Sequence, residues 1–135
     1  MKLIDTNVVI YANGSESRYK GACLKILREV AQGTVEATAD AEVLQELLHF
    51  YRRRNRAPFG VTAVEQTLRI VGSVLSITGQ IVTAAGELLL TYPALQARDA
   101  IHAAVMMHHR LDGIISADRS FDAIRGVTRF DPLSG

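Results

Sequence analysis

Apolar residues along the chain alternate between short continuous runs and longer stretches with a helical period. The short runs predict strands at residues 1–4, 34–39, 76–78, 113–117 and 127–130. The longer periods predict helices at 17–32, 40–54, 62–75, 80–91 and 98–110, with a short helix near 120–124. Residues 54–60, which include Pro58, are expected to form a turn.

Capping signals support several of these boundaries. Asp40 is a suitable N-cap for the helix that follows it, Gly33 is a plausible C-cap, and Pro93 ends the helix before it. Strands that alternate with helices indicate an α/β domain with a mainly parallel sheet. Ligands bind to such sheets at the carboxyl ends of the strands, so the residues that follow each strand are the first candidates for a site.

Four acidic residues on separate elements are placed to meet at that edge. Asp5 follows the first strand, and Asp118 follows the strand around Ile115. Asp99 lies in the first turn of its predicted helix, and Glu46 lies midway along the helix that begins near Asp40. Topology alone therefore favours a cluster of carboxylates.

Carboxylates that lie close together oppose one another's ionisation, and a divalent cation removes this repulsion. Oxygen ligands of this kind suit Mg²⁺ or Mn²⁺ better than zinc. His102, His108 and His109 share one helix, but the chain has a single cysteine and no HExxH pattern. The residues therefore point to a magnesium or manganese site.

Each acid also has a simpler interpretation. Asp99 could serve only the positive end of its helix, Asp118 could cap a turn, and Glu46 could face solvent beside Glu42 and Arg53. Asp5 is harder to explain in this way, because a buried strand leads directly into three consecutive polar residues.

Composition limits the class of protein. A length of 135 residues fits one domain over 1–135, and the lone Cys23 excludes an intramolecular disulfide, which suits a reducing cytoplasm. The net charge of +1 gives no global attraction to nucleic acid, although four arginines crowd into residues 52–56, where they suit either RNA phosphates or a helix end. The stretch 71–90 is too polar to span a membrane, and we expect no targeting segment.

Four runs, taken in order, resemble the motifs of PIN-domain ribonucleases. They are LIDTNVVIYA at 3–12, VLQEL at 43–47, RDAIHAA at 98–104 and IISADRSFD at 114–122. The compact chain looks most like the toxin of a VapBC-type toxin–antitoxin pair. One departure is the stretch LQA at 95–97, where relatives often carry a serine-like helix cap.

The resemblance implies a three-layer α/β/α sandwich that cleaves RNA as an endoribonuclease with Mg²⁺ or Mn²⁺. It maps the catalytic and metal-binding acids onto Asp5, Glu46, Asp99 and Asp118. It also implies supporting residues (Thr6, Asn7, Ser116 and, less directly, Asp122), while Arg98 and Arg119 flank the expected site as phosphate-binding candidates. The expected partners are RNA, a protein antitoxin and a second copy of the chain, in the cytoplasm.

Two other functions fit the sequence less well. Phosphatases that resemble haloacid dehalogenases want Asp-x-Asp after the first strand and a later lysine, whereas this chain has DTN at 5–7 and no lysine after Lys25. A catalytically silent interaction module with the same fold would normally have lost one or more of the acids. All four acids are present, so the nuclease is the preferred interpretation.

Overall fold

The computed structural model describes residues 1–134, in which one or more helices connect each strand to the next. The strands are β1 (Lys2–Ile4), β2 (Ala37–Thr38), β3 (Ile114–Ile115) and β4 (Arg129–Phe130). The α-helices are α1 (Thr6–Asn13), α2 (Lys20–Ala31), α3 (Ala41–Arg53), α4 (Ala57–Val71), α5 (Gly79–Thr91) and α6 (Ala97–His109). Two short 3-10 helices, Arg119–Ala123 and Pro132–Ser134, flank β4.

The four strands form one parallel sheet in the order β2-β1-β3-β4. Leu3 pairs with Thr38 on one side and with Ile114 on the other, so β1 is a central strand. The chain leaves β1 towards β2 and later returns on the opposite side as β3. A crevice opens at such a reversal of strand order, outside the carboxyl ends of the strands.

Successive strand residues point to opposite faces of the sheet and build two separate cores. Ile4 and Ile115 pack with the buried faces of α1, α2, α3 and α4. Leu3 and Ile114 pack with those of α5 and α6. This arrangement is a three-layer α/β/α sandwich, and the fold class predicted from the sequence is confirmed.

Two local predictions were wrong, and helix α1 was not predicted at all. Residues 6–13 form helix α1, which the apolar run hid because it is too short to show a clear period. Residues 76–78 form no strand, because Thr78 caps α5 and only Leu75 pairs, with Asp40. Helix α4 begins at Ala57 and has Pro58 in its first turn. Proline is tolerated there because the backbone N–H that it lacks would have no partner within the helix. The predicted turn is therefore confined to residues 54–56.

The two predicted helix caps are confirmed. Asp40 caps α3 through a hydrogen bond from the Val43 amide, and Gly33 follows α2 with a positive φ of 79°. Cys23 is a buried core residue, and burial raises the pKa of its thiol to about 11. Among the residues that the structure describes, every helix is too short or too polar to cross a lipid bilayer.

Candidate active site

The ends of the two central strands carry the first pair of site residues. Asp5 directly follows β1 and caps α1, because its Oδ1 accepts a hydrogen bond of 2.8 Å from the Thr6 amide. Ser116 directly follows β3, and its hydroxyl donates to Asp5 Oδ2 over 2.6 Å. The crevice at the strand reversal therefore brings together residues that lie 111 positions apart.

A polar network holds the Asp5 carboxylate in place. Asn7 Nδ2 lies 3.1 Å from Asp5 Oδ2 and 3.1 Å from Ser116 Oγ, and Asn7 Oδ1 accepts from the Ala117 amide. The Asp118 amide donates to Ser116 Oγ over 2.9 Å. Asn7 and Ser116 therefore connect the loop after β3 to the start of α1 and contact the Asp5 carboxylate.

The structure brings the four predicted acids to one cavity of about 270 Å³, which Asp5, Glu46, Asp99 and Asp118 all line. Asp5 and Asp99 are buried, and the Glu46 side chain is only 12% exposed. The solvent-facing alternative for Glu46 is therefore wrong, since its position on α3 points inward. Asp99 lies in the first turn of α6, whose N-cap Gln96 makes no side-chain capping bond, as the unusual sequence before it predicted.

Burial and mutual repulsion raise the pKa of two of the acids. Burial, together with the charges of Asp118 and Asp5, raises the pKa of Asp99 from 3.8 to about 6. Burial also raises the pKa of Asp5, against the opposing effects of His102 and of the Ser116 hydrogen bond. The cavity thus disfavours negative charge in the absence of a cation.

Glu46 behaves differently because it has positive and hydrogen-bonding neighbours. Burial alone would raise its pKa, but hydrogen bonds from His102 and Thr6 and the charge of His102 lower the pKa below its usual value. Both donors contact the same oxygen: Thr6 Oγ1 and His102 Nε2 each approach Glu46 Oε2. Within residues 1–134, the buried Oε1 atom has no hydrogen-bond partner.

That unpartnered oxygen is a test of whether the residues fit a metal. A buried carboxylate oxygen without a donor is costly unless something else satisfies it. A divalent cation held by carboxylate oxygens would satisfy Oε1 and offset the repulsion between Asp5, Asp99 and Asp118 at once. The donor set therefore fits a hard divalent metal.

Sequence reasoning missed a buried pair beneath the acids. His102 is fully buried on α6, with Nδ1 2.7 Å from Asp40 Oδ2 and Nε2 3.8 Å from Asp5 Oδ1. Burial would lower its pKa, but hydrogen bonds to Asp40 and Glu46 raise the pKa of His102 well above its usual value. The spacing of three residues from Asp99 to His102 was the available signal, because such neighbours share a helix face.

The remaining predicted residues lie at or near the rim. Asp118 caps the following 3-10 helix through the Ser120 amide, so this simple role accompanies its place in the cavity. Asp122 forms a two-pronged ion pair with Arg129, at 2.9 Å and 3.2 Å, and does not line the cavity. Arg98 lines the cavity with its Nε 3.8 Å from Glu46 Oε1, and Arg119 is exposed next to Asp118.

The end of α3 forms a second wall of the cavity. Arg53 and Arg54 line it together with His49 and Phe50, and the Arg54 guanidinium lies 3.6 Å from the centroid of the Phe50 ring. The sequence is compatible with either a role at the helix terminus or phosphate contact for these arginines. Their position beside the carboxylates makes them available to a bound polyanion.

Comparison with known proteins identifies the family. The PIN domain family matches residues 2–127. The chain is 36% identical over 129 residues to the VapC ribonuclease Mb1869c of Mycobacterium bovis, covering 96% of this chain and 98% of that protein.

Two solved structures share the fold. VapC20 of Mycobacterium tuberculosis, described as a toxin that cleaves the sarcin-ricin loop, superposes with a TM-score of 0.77 at 19% identity, covering 95% of this chain and 97% of its own. A toxin–antitoxin complex from Klebsiella pneumoniae gives a TM-score of 0.65 at 20% identity, covering 98% of each chain. The resemblance noted in the sequence motifs is confirmed, and the chain belongs to the PIN-domain family as one of its VapC ribonucleases.

Proposed function

We propose that this ribonuclease hydrolyses RNA at a divalent-metal site formed by Asp5, Glu46, Asp99 and Asp118. The observation that carries the proposal is the cavity these acids line, together with the unpartnered Glu46 Oε1 inside it. A silent interaction module has no need of such a charged, buried cluster. The relative at 36% identity is itself named a ribonuclease, which also favours activity.

The ion that we propose is Mg²⁺, with Mn²⁺ as the substitute, because the four acids of the cavity offer carboxylate oxygens. When bound, such a cation lowers the pKa of water and neutralises charge on the phosphate that is attacked. Asn7 and Ser116 hold Asp5 in one orientation, and Thr6 holds Glu46. The exposed guanidiniums of Arg98 and Arg119 are available to scissile or neighbouring phosphates.

VapC20 is described as cleaving the sarcin-ricin loop, but at 19% sequence identity its similarity to this chain shows a shared fold and not a shared substrate. We propose an endonucleolytic cut that leaves a 5′-phosphate and a 3′-hydroxyl. Sequencing of RNA ends after induced expression would identify the target among tRNA, rRNA and mRNA.

We also propose that the chain acts in the cytoplasm as a toxin restrained by a protein antitoxin. The structural neighbour from Klebsiella pneumoniae is described as a toxin–antitoxin complex. Toxicity on expression, relieved by a small protein encoded beside it, would support this. A homodimer is also expected, and light scattering on the free chain would then give about twice its mass of 14.8 kDa.

The proposed site is tested by two substitutions. Asp5→Asn and Asp99→Asn should each lower the cleavage rate by at least about 100-fold, since both remove a charged oxygen ligand while keeping the shape of the side chain. Cleavage is measured on total RNA with Mg²⁺, and folding is checked by circular dichroism.

The matched control is Asp112→Asn, which makes the same change at an exposed acid paired with the amino terminus. This variant should cleave like the wild type. Undiminished cleavage by both site variants would exclude this cavity as the active site.

A further inference from the structure

The two oxygens of Glu46 are in different surroundings. Oε2 accepts hydrogen bonds from Thr6 Oγ1 and from His102 Nε2, the latter over 3.3 Å. Oε1 is buried without a donor among residues 1–134, and the nearest cation, Arg98 Nε, lies 3.8 Å away. The carboxylate is therefore anchored by one oxygen, and the other is left available.

His102 is itself held through its other ring nitrogen, Nδ1. Its Nδ1 lies 2.7 Å from Asp40 Oδ2, and both side chains are completely buried. The second carboxylate oxygen of Asp40 accepts from the Val43 amide over 3.1 Å and caps α3. Asp40 thus joins the start of α3, which carries Glu46, to the middle of α6, which carries Asp99.

We propose that His102 is a positioning residue, held by Asp40, which fixes Glu46 Oε2 so that Oε1 is presented to the divalent cation. This inference rests on the proposed role of Glu46 in metal binding. It assigns to the buried pair a function in metal affinity, beyond the stability that any buried hydrogen bond supplies.

Direct coordination of the metal by His102 is the competing arrangement. Its Nε2 lies close enough to Asp5 and Glu46 for the three side chains to share an ion. Coordination requires an unprotonated Nε2, whereas a contact of 3.3 Å between Nε2 and a carboxylate oxygen requires a proton between them. The contact therefore favours positioning over coordination.

Two substitutions test the Asp40–His102 contact and the His102–Glu46 contact separately. His102→Asn keeps an amide near the position of Nδ1, facing Asp40, but is too short to reach Glu46. Asp40→Ser keeps a good N-cap for α3 but removes the oxygen that holds His102. His108→Asn makes the same change at an exposed histidine on the same helix and is the matched control.

The measurement is the Kd of Mn²⁺ for the metal-free protein, obtained by calorimetry. We expect His102→Asn and Asp40→Ser each to weaken Mn²⁺ binding by roughly 10-fold or more, the usual effect of removing a group that orients a metal ligand, with His108→Asn unchanged. The Mn²⁺ concentration for half-maximal RNA cleavage should rise in parallel, and kcat at saturating Mn²⁺ should recover.

Glu46→Gln distinguishes a failure of this inference from a failure of the proposed function. If Glu46→Gln weakens Mn²⁺ binding but His102→Asn and Asp40→Ser do not, His102 has no positioning role. If Glu46→Gln also leaves the Kd unchanged, Glu46 is not a metal ligand, and the proposed site itself is wrong.

A measurement on the wild type covers the case in which His102→Asn does not fold. Pulsed electron paramagnetic resonance of the Mn²⁺-loaded protein should show no coupling to a directly coordinated imidazole nitrogen. Such a coupling would overturn the inference and make His102 a metal ligand.

Discussion

At the scale of single residues, two neighbouring acids in one cavity have pKa values that are shifted in opposite directions. Asp99 has other carboxylates around it, and burial with their charges raises its pKa. Glu46 has His102 and Thr6 beside one oxygen, and its pKa is lowered although burial opposes this. Hydrogen-bond partners rather than residue type therefore decide which acid is ionised before any cation binds.

Asp99 gives a prediction with a defined pH dependence. Its pKa of about 6 in the folded protein exceeds the ordinary 3.8, so between these values the folded state binds more protons than the unfolded one. The free energy of unfolding therefore falls as pH rises through this window, by up to about 3 kcal/mol for an isolated group. Asp99→Asn removes this cost and should stabilise the metal-free protein at pH 7.5 by roughly 1–2 kcal/mol, because the neighbouring acids share the repulsion.

Denaturant unfolding in EDTA at pH 7.5 and pH 4 measures this effect. The stabilisation should nearly vanish at pH 4, where wild-type Asp99 is largely protonated. An Asp99→Asn variant that is less stable than the wild type at pH 7.5 would mean that the repulsion is absent.

At the scale of elements, strands of two residues depend on close backbone contact. Gly113 precedes β3, and a Cβ placed there would lie 2.2 Å from the Thr128 carbonyl oxygen and 2.8 Å from a carbon of the Phe130 ring. The same carbonyl accepts from the Ile114 amide over 2.9 Å. β3 and β4 can therefore pair only because residue 113 has no side chain.

Gly113→Ala should accordingly destabilise the protein by about 1–3 kcal/mol, the cost of forcing atoms into a packed region. Gly86→Ala is the matched control, since Gly86 lies exposed within α5 and an added Cβ meets no atom within 4 Å. That control should gain about 0.5–1 kcal/mol from helix propensity. Equal effects of the two substitutions on thermal unfolding would contradict this account of the β3–β4 pairing.

Helix α3 contributes to the site at both ends. Asp40 connects its start to α6, and its last turn brings Arg53 to the cavity wall. The negative end of the helix dipole accounts for cations there, but it does not account for their position beside the carboxylates. The last turn of α3 is therefore a surface suited to RNA phosphates.

Arg53→Gln should raise the KM for RNA several-fold while leaving kcat nearly unchanged. The slope of log KM against log salt concentration should become shallower by about 0.7, the value for one phosphate contact on a single strand. Arg69→Gln is the control, because Arg69 is exposed on α4 and lines a different groove. A slope that is identical in wild type and Arg53→Gln would remove Arg53 from the RNA-binding surface.

At the scale of the whole molecule, the strand order of the sheet determines where the site lies. The sheet order β2-β1-β3-β4 opens a crevice beside β1, and helices from both outer layers supply acids to it. A net charge of only +1 gives no overall attraction to RNA, so we expect any attraction to come from the arginines around the cavity. A bound cation would link the two layers, since Glu46 lies on α3 and Asp99 on α6.

Metal binding should therefore stabilise the entire fold. At a free Mn²⁺ concentration of 100 times its Kd, the free energy of unfolding should rise by about 2.7 kcal/mol, because the unfolded chain has no assembled site. Denaturant unfolding with and without Mn²⁺ measures this change. Asp5→Asn should abolish most of the gain, and an equal gain in that variant would place the stabilising ion elsewhere.

The sequence by itself determined the fold class and picked out four acids that line one cavity. Alternating apolar runs and helical periods predict a parallel α/β sandwich, and short motifs around Asp5, Glu46, Asp99 and Asp118 single out the carboxylates, because such signals are local. Helix α1 was not predicted, because its eight residues are too few to show a helical period of apolar positions. The pair His102 and Asp40, the unpartnered oxygen of Glu46 and the position of Arg53 emerged only from tertiary structure, since each depends on contacts between elements far apart in the chain.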